Sequence, residues 1–242
     1  MTTKRLQGRI ALVTGASRGI GRAVAKRFAD EGAHLVLVSR TTAALEELDD
    51  EILQATGESA TLVPADLSDF EVIDHIGASL FERFGRLDIL VGNAGLLTTL
   101  TPMAQVKPND WDRVIALNLT ANYRLLRSMD PLLRQSDAGR AIFVSSTVTQ
   151  GTWPYWGAYV VSKAGLETMV TTYASENMKT SVNANILNPG PTRTGMRPVA
   201  YPGEDPETVK PPEEVTGAFV DLAEASCQLN GEIIQVESQT TK

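Results

Sequence analysis

Aliphatic residues gather along this chain in short, nearly unbroken runs separated by longer stretches of helical spacing. "RIALVT" (9–14), "HLVLVS" (34–39), "ATLVPA" (60–65), "LDILVG" (87–92), "RAIFVS" (140–145), "SVNANIL" (181–187) and "EIIQVE" (232–237) predict strands. Most lack the in-out alternation of a half-exposed strand, as expected where both faces of a sheet are covered. The intervening segments, 19–31, 42–56, 69–84, 110–135, 154–178 and 212–226, carry helical spacing. Alternation of this kind implies right-handed crossovers and a parallel sheet with helices on both sides, an α/β fold. No repeat or low-complexity linker interrupts it, so 1–242 reads as one domain.

One region departs from the pattern. Seven of the twelve prolines fall between 189 and 212, in "PGPTRTGMRPVAYPGEDPETVKPP", which excludes a long continuous helix. This excursion, about 191–212, is long for a compact domain and is expected to serve the substrate.

Composition narrows the class. A formal charge of -7 without a basic stripe disfavours nucleic acid and anionic membrane surfaces as partners. "MTTKRLQGRIALV" lacks the apolar core of a secretory leader, and no apolar run approaches the ~18 residues of a membrane span. A soluble, cytoplasmic protein is expected. Cys227 is the only cysteine, read as a small filler in a late helix, and His34 and His75 are the only histidines. A disulfide is therefore impossible within the chain, a thiolate cluster is excluded, and no metal site is expected.

The candidate chemistry lies where strands end. "TGASRGIG" (14–21) follows the first strand and opens the first helix, with Gly15, Gly19 and Gly21 spaced G-x-x-x-G-x-G. Such glycines let the backbone turn and approach a ligand, while free N–H groups at a helix start attract pyrophosphate. Ser17, Arg18 and Ile20 share the loop. Strand two ends in Ser39 and Arg40, where an enzyme preferring NAD usually carries Asp or Glu for the ribose hydroxyls. A guanidinium fork binds a 2'-phosphate, and Arg18 supplies a second one, so NADP(H) is predicted over NAD(H).

Tyr159 and Lys163, in "WGAYVVSKAGLE", stand four residues apart and so share a helix face. A neighbouring ammonium is expected to lower the phenol's pKa from about 10 toward the working range, where Tyr exchanges a proton with a carbonyl oxygen. Ser146, in the "FVSST" that ends strand five at the carboxyl edge of the sheet, is placed to hydrogen-bond that oxygen. Asn118, a polar residue in the apolar "IALNLTANY", is expected to hold a structural or water-mediated contact.

Taken together, "TGASRGIG", "ADL" with Asp66, "GNAG" (92–95), Asn118, Ser146, "YVVSK" and "NPGPTRT" (188–194) resemble the short-chain dehydrogenase/reductase family over nearly the whole chain. The resemblance implies a Rossmann-type, doubly wound sheet of seven parallel strands between two helical layers. It implies Tyr159 as proton donor and acceptor, Ser146 positioning the carbonyl, Lys163 on the nicotinamide ribose and Asn118 ordering a relay water. It implies adenine contact at Asp66 and Leu67, and ribose contact around Asn93, Ala94 and Gly95. Pro189, Gly190, Thr192 and Thr194 are placed at the nicotinamide and its phosphate side. Two departures stand out: Gly92 replaces a second Asn, and the C-terminal "NGEIIQVESQTTK" has Glu237 and Ser238 where relatives have Asp-Gly-Gly.

Trp153, Tyr155 and Trp156, with Met196, Arg197 and Tyr201 from the excursion, form the expected pocket wall. An NADP(H)-dependent carbonyl reductase is the leading reading. A 3-oxoacyl carrier-protein reductase is a specific alternative, although only Arg124, Arg127 and Arg134 line one helix to meet an acidic carrier. A non-catalytic NADP-binding regulator is the alternative of another class, and a nucleotide-sugar epimerase needs a longer substrate domain. Leu125, Met129, Ala164, Gly165 and Met169 suggest helices apolar on two faces and hence a homodimer or homotetramer.

Overall fold

The computed structural model describes residues 4–236. Strands β1 (Ile10–Thr14), β2 (His34–Ser39), β3 (Thr61–Pro64), β4 (Ile89–Gly92), β5 (Arg140–Val144), β6 (Asn183–Asn188) and β7 (Ile233–Gln235) form one sheet in the order β3-β2-β1-β4-β5-β6-β7. Every neighbouring pair is parallel. The chain therefore winds outward from β1 to β3, returns to the centre, and winds the other way from β4. Its topological switch point lies between β1 and β4, where the carboxyl ends of the strands open a crevice.

Helices α1 (Gly19–Asp30), α2 (Thr42–Thr56), α3 (Phe70–Phe84), α4 (Pro108–Ile115), α5 (Ala121–Leu133), α6 (Gly157–Glu176), the short α7 (Arg197–Ala200) and α8 (Thr216–Ala223) supply the flanking layers. Ala11, Val13, Leu35, Leu37, Ile89, Val91 and Ile142 face a core closed by α1, α2 and α8. The alternate residues Leu12, Val36, Val38, Leu90, Ala141 and Phe143 face a second core under α3, α5 and α6. Both faces of the sheet are thus dry, which is why the strands read as unbroken apolar runs.

The expected elements are all present, with three instructive differences. The predicted helix 110–135 is two α-helices joined by a π-helical turn, Ala116–Thr120, with Asn118 at its centre. The last strand is shorter than 232–237, and Glu237 and Ser238 lie outside the described residues. Cys227 follows α8 in a turn rather than sitting in a helix, and its carbonyl accepts hydrogen bonds from Arg140 and Asn183. Gly92 is explained by packing: a Cβ there would lie 2.3 Å from the Phe143 ring.

The Pro-rich excursion leaves the sheet after β6 and folds into α7 and single 3-10 turns at Pro206–Thr208 and Pro212–Val215. Its two ends are tied where Arg193 N donates to the Lys210 carbonyl at 2.8 Å. Among the described residues, no helix is long and apolar enough to cross a membrane.

Candidate active site

The glycine loop is built by close approach of three backbones. Gly15 (φ 65°) and Gly19 (φ 56°) adopt the left-handed conformation, which costs glycine nothing. A Cβ on Gly15 would meet the Ala94 backbone and the Asn93 side chain at 3.0 Å, and one on Gly21 would lie 2.3 Å from the Gly15 carbonyl oxygen. Thr14 Oγ1 donates to the Val91 carbonyl and accepts from the amides of Asn93 (2.9 Å) and Ala94 (3.0 Å). The Asn93 side chain donates to the Thr14 carbonyl at 2.8 Å, so its amide clamps β4 to the loop. Arg18, extended at φ -161°, precedes α1 without capping it through its side chain. The first N–H groups of α1 therefore face a cavity of about 370 Å³, lined here by Ser17, Arg18, Gly19 and Ile20.

At the next strand end, Ser39 accepts from Thr41 N through its hydroxyl at 3.3 Å, and Arg40 extends into solvent with its side chain 70% exposed. An Arg40 Nη1 lies 3.9 Å from Asp66 Oδ2, while Asp66 Oδ1 accepts from Ser68 N at 2.9 Å. Arg18 and Arg40 thus border the same cavity, and the end of β2 carries no carboxylate.

The other end of the cavity holds the phenol and ammonium. Tyr159 and Lys163 lie one turn apart on α6, 8% and 4% exposed. Lys163 Nζ donates to the Val144 carbonyl at the end of β5 (2.7 Å) and sits 5.8 Å from the Tyr159 ring centroid. The expected lowering of the phenol's pKa is not what this geometry produces. Burial pushes Tyr159 up to about 12, only partly offset by its interaction with the Ser146 hydroxyl, and burial pulls Lys163 down to about 8. The reason is physical: the ammonium is turned to a carbonyl of the sheet, and both groups have lost water.

Asn118, fully buried, does not line the cavity; it braces it from behind. Its Oδ1 accepts from Leu96 N (2.8 Å), and its Nδ2 donates to the Leu96 carbonyl (3.0 Å) and to Ser162 Oγ (3.1 Å). Ser162 in turn donates to the Tyr159 carbonyl at 2.7 Å. The π-helical turn is what brings this amide inward, and Asn122 Nδ2 donates to the Asn118 carbonyl at 2.8 Å. Of the expected cofactor residues, Gly15, Ser39, Arg40, Asp66, Leu67, Asn93, Ala94, Gly95, Pro189, Gly190, Thr192 and Thr194 also line the cavity. Gly21 does not, since its role is to let α1 approach the loop.

On the substrate side, Trp153, Trp156, Met196, Arg197 and Tyr201 form the wall as expected. Tyr155 does not: it is 60% exposed and takes φ 74°, an uncommon backbone state for a non-glycine residue. Trp153 and Trp156, on either side of it, both line the cavity.

Two further groups escaped sequence reading. Glu167, one turn beyond Lys163 on α6, accepts through Oε1 from Ser145 Oγ (2.5 Å) and Thr149 Oγ1 (2.9 Å), the hydroxyls flanking Ser146. A third acid-lysine-tyrosine step at i+4 was visible as spacing, but nothing in spacing names its hydroxyl partners. Asn188, 1% exposed at the end of β6, accepts from Gly190 N at 3.0 Å while its buried Nδ2 has no partner. A buried donor left open beside Gly190 fits a bound polar group at this edge, because such groups are otherwise paired. Together with the uncapped α1 and the cradle of Gly15 and Gly19, it meets the needs of a dinucleotide.

A doubly wound parallel sheet with an uncapped helix at its switch point and a Tyr–Lys pair at the facing strand end defines a nucleotide-binding oxidoreductase of the Rossmann type. The model for the short chain dehydrogenase family matches residues 9–205, and the chain belongs to that family. It is 37% identical over 219 residues to the uncharacterized oxidoreductase YciK of Escherichia coli K12, covering 90% of this chain and 86% of that protein. A chloroplastic NADPH-dependent aldehyde reductase-like protein of Arabidopsis thaliana is 34% identical, over 85% of this chain and 79% of its own. A short chain dehydrogenase of Escherichia coli CFT073, solved in complex with NADPH, superposes with a TM-score of 0.94 at 34% identity, covering 98% of this chain and all (100%) of that one.

Proposed function

We propose that this oxidoreductase is a cytoplasmic NADP(H)-dependent enzyme interconverting a carbonyl with a secondary alcohol. The observation that carries the reading is the joining, in one cavity, of Arg18 and Arg40 at one end with Ser146, Tyr159 and Lys163 at the other. The nicotinamide, when bound, supplies or accepts the hydride. The chain's own residues do the rest. Ser146 and Tyr159 hydrogen-bond the carbonyl oxygen, and the Tyr159 hydroxyl gives it a proton as negative charge develops there. A phenol held protonated by burial suits reduction, and the Ser146 hydroxyl, which offsets part of that rise, favours the phenolate that proton donation leaves behind. Asn118 fixes the Tyr159 turn through Ser162 and holds the loop after β4, at Leu96, against α6.

The cofactor preference rests on two guanidinium groups and no carboxylate at the end of β2. Arg40→Asp is expected to lower kcat/KM for NADPH relative to NADH by about 100-fold, the scale of a lost charge-assisted phosphate pair with a repulsive charge in its place. An unchanged ratio would refute the assignment. The carrier-protein alternative is weakened by the arginines it would need: Arg134 is paired with Asp130 at 2.8 Å, and Arg124 and Arg127 both face Asp74 at 3.9 Å.

Self-association is a separate proposal. Leu125 and Met129 contribute nothing to it, because both lie in the chain's own core. Val161, Ala164 and Thr168 instead leave one face of α6 open. A homodimer or homotetramer through this face is expected at micromolar concentration, and a monomeric mass by light scattering would overturn it.

A further inference from the structure

We infer that the substrate end of the cavity selects an uncharged aromatic carbonyl compound and discriminates against carboxylated analogues, its one cation being already neutralised within the excursion. This deepens the carbonyl-reduction reading and rests on it for the place of the reacting oxygen.

The charged groups along the cavity are unevenly distributed. Arg18, Arg40 and Asp66 belong to the cofactor end, Lys163 lies beneath Tyr159, and Arg197 alone serves the substrate side. Around it the wall is apolar and aromatic, with Trp156 as the hub. The Trp156 ring centroid lies 5.9 Å from that of Tyr159, 6.1 Å from that of Tyr201 and 6.1 Å from that of Trp153. These are the separations at which aromatic rings attract one another, in tilted and edge-on arrangements. A flat ring bonded to a carbonyl carbon meets such rings as soon as its oxygen reaches Tyr159. A saturated ring of the same size fills the volume without those contacts.

Arg197 does not offer this site a free positive charge. Its Nε and Nη2 donate to the two carboxylate oxygens of Glu204 at 2.5 and 2.6 Å, a forked pair, and its guanidinium carbon sits 3.9 Å above the Tyr201 ring. Both partners are about three-quarters buried, at 23% and 26% side-chain exposure. A ligand carboxylate entering beside them would lose its water and find a cation whose charge is already matched. Glu204 itself does not line the cavity, so its effect on an anion is exerted through Arg197.

The test uses the 242-residue chain saturated with NADP+ and three probes of similar size: acetophenone, cyclohexyl methyl ketone and 4-acetylbenzoate. Calorimetry is expected to show acetophenone binding about tenfold or more tighter than either of the others, a difference of ~1.4 kcal/mol. Glu204→Gln is expected to tighten 4-acetylbenzoate about tenfold, and Glu204→Gln combined with Arg197→Leu to abolish that gain. Equal affinity for the aromatic and saturated ketones, or a wild-type preference for the carboxylate, would overturn the inference. Should the Glu204 variants fail to fold, the wild-type comparison alone decides. NADPH oxidation with the same ketones is read separately. Discriminating binding without turnover rejects carbonyl reduction and upholds the selectivity; turnover without discrimination does the reverse.

Discussion

The two edges of the sheet bury polar side chains equally deeply and use them in opposite ways. At the edge where strands begin, the Arg140 guanidinium donates to the carbonyls of Gly139, Ser181, Glu224, Ala225 and Cys227 at 2.8 to 3.2 Å. Asp88 beside it accepts from Ile10 N (2.8 Å), Ser136 Oγ (2.5 Å) and Arg86. Arg9 Nη2 donates to the carbonyls of Asp88 and Ala138, and its buried Nε lacks a partner. At the edge where strands end, Lys163 gives one bond to Val144, the buried Asn188 Nδ2 has no partner, and the Tyr159 hydroxyl interacts with that of Ser146. Saturated burial fixes loops, whereas burial that leaves donors unmatched holds groups ready for a ligand. One edge is scaffold, and the other is chemistry.

Crossed substitutions test that division. Tyr159→Phe is expected to reduce kcat/KM about 1000-fold, within the range for loss of a positioned acid, while shifting thermal unfolding little. Arg140→Met is expected to lower the unfolding free energy by about 3 kcal/mol, since carbonyls of the 224–227 turn lose their donor. Its folded fraction should keep wild-type kcat/KM. Loss of stability in the first, or of turnover per folded molecule in the second, would break the contrast.

Lys163 sharpens it with pH. Its pKa is lowered from 10.5 to about 8 by burial, so at neutral pH the folded state carries a charge it holds less well than the unfolded chain does. That cost is full below about pH 8 and disappears as pH rises toward 10.5, so the lysine makes stability increase with pH in this window. Tyr159 acts oppositely only above about pH 10, because its pKa is raised. Between pH 8 and 9.5, wild type should gain about 2 kcal/mol over Lys163→Met in denaturant unfolding, at ~1.4 kcal/mol per pH unit. A flat difference would show that the ammonium is not desolvated.

How much of this was legible beforehand follows from what pattern can encode. The strands were visible because both sheet faces are dry, and the glycine loop because only glycine fits where backbones meet within 3.0 Å. The sharing of a face by Tyr159 and Lys163 follows from helical spacing. What spacing cannot carry is direction and solvent. It could not show that Lys163 turns to Val144, that Tyr159 is buried beyond the reach of ordinary titration, or that Tyr155 faces outward. The π-helical turn at Asn118 leaves the apolar period almost unchanged, so one long helix was the natural reading.

Glu167 joins the two properties that the edges otherwise separate, being held like scaffold yet acting on the reactive end. Its carboxylate ties the hydroxyls of Ser145 and Thr149, so it steadies the backbone on both sides of Ser146. Its charge also raises the Lys163 pKa against the lowering by burial. Both effects point to a positioning residue. Glu167→Gln preserves shape and hydrogen-bonding capacity while removing the charge. With the charge gone, Lys163 should lose its proton at lower pH, so the alkaline fall in kcat/KM for reduction should begin at lower pH than in wild type. The plateau itself should drop about tenfold or less, since one of several supports for Ser146 is weakened rather than lost. A Glu167→Gln profile that keeps the wild-type inflection and loses only the plateau would reduce Glu167 to packing.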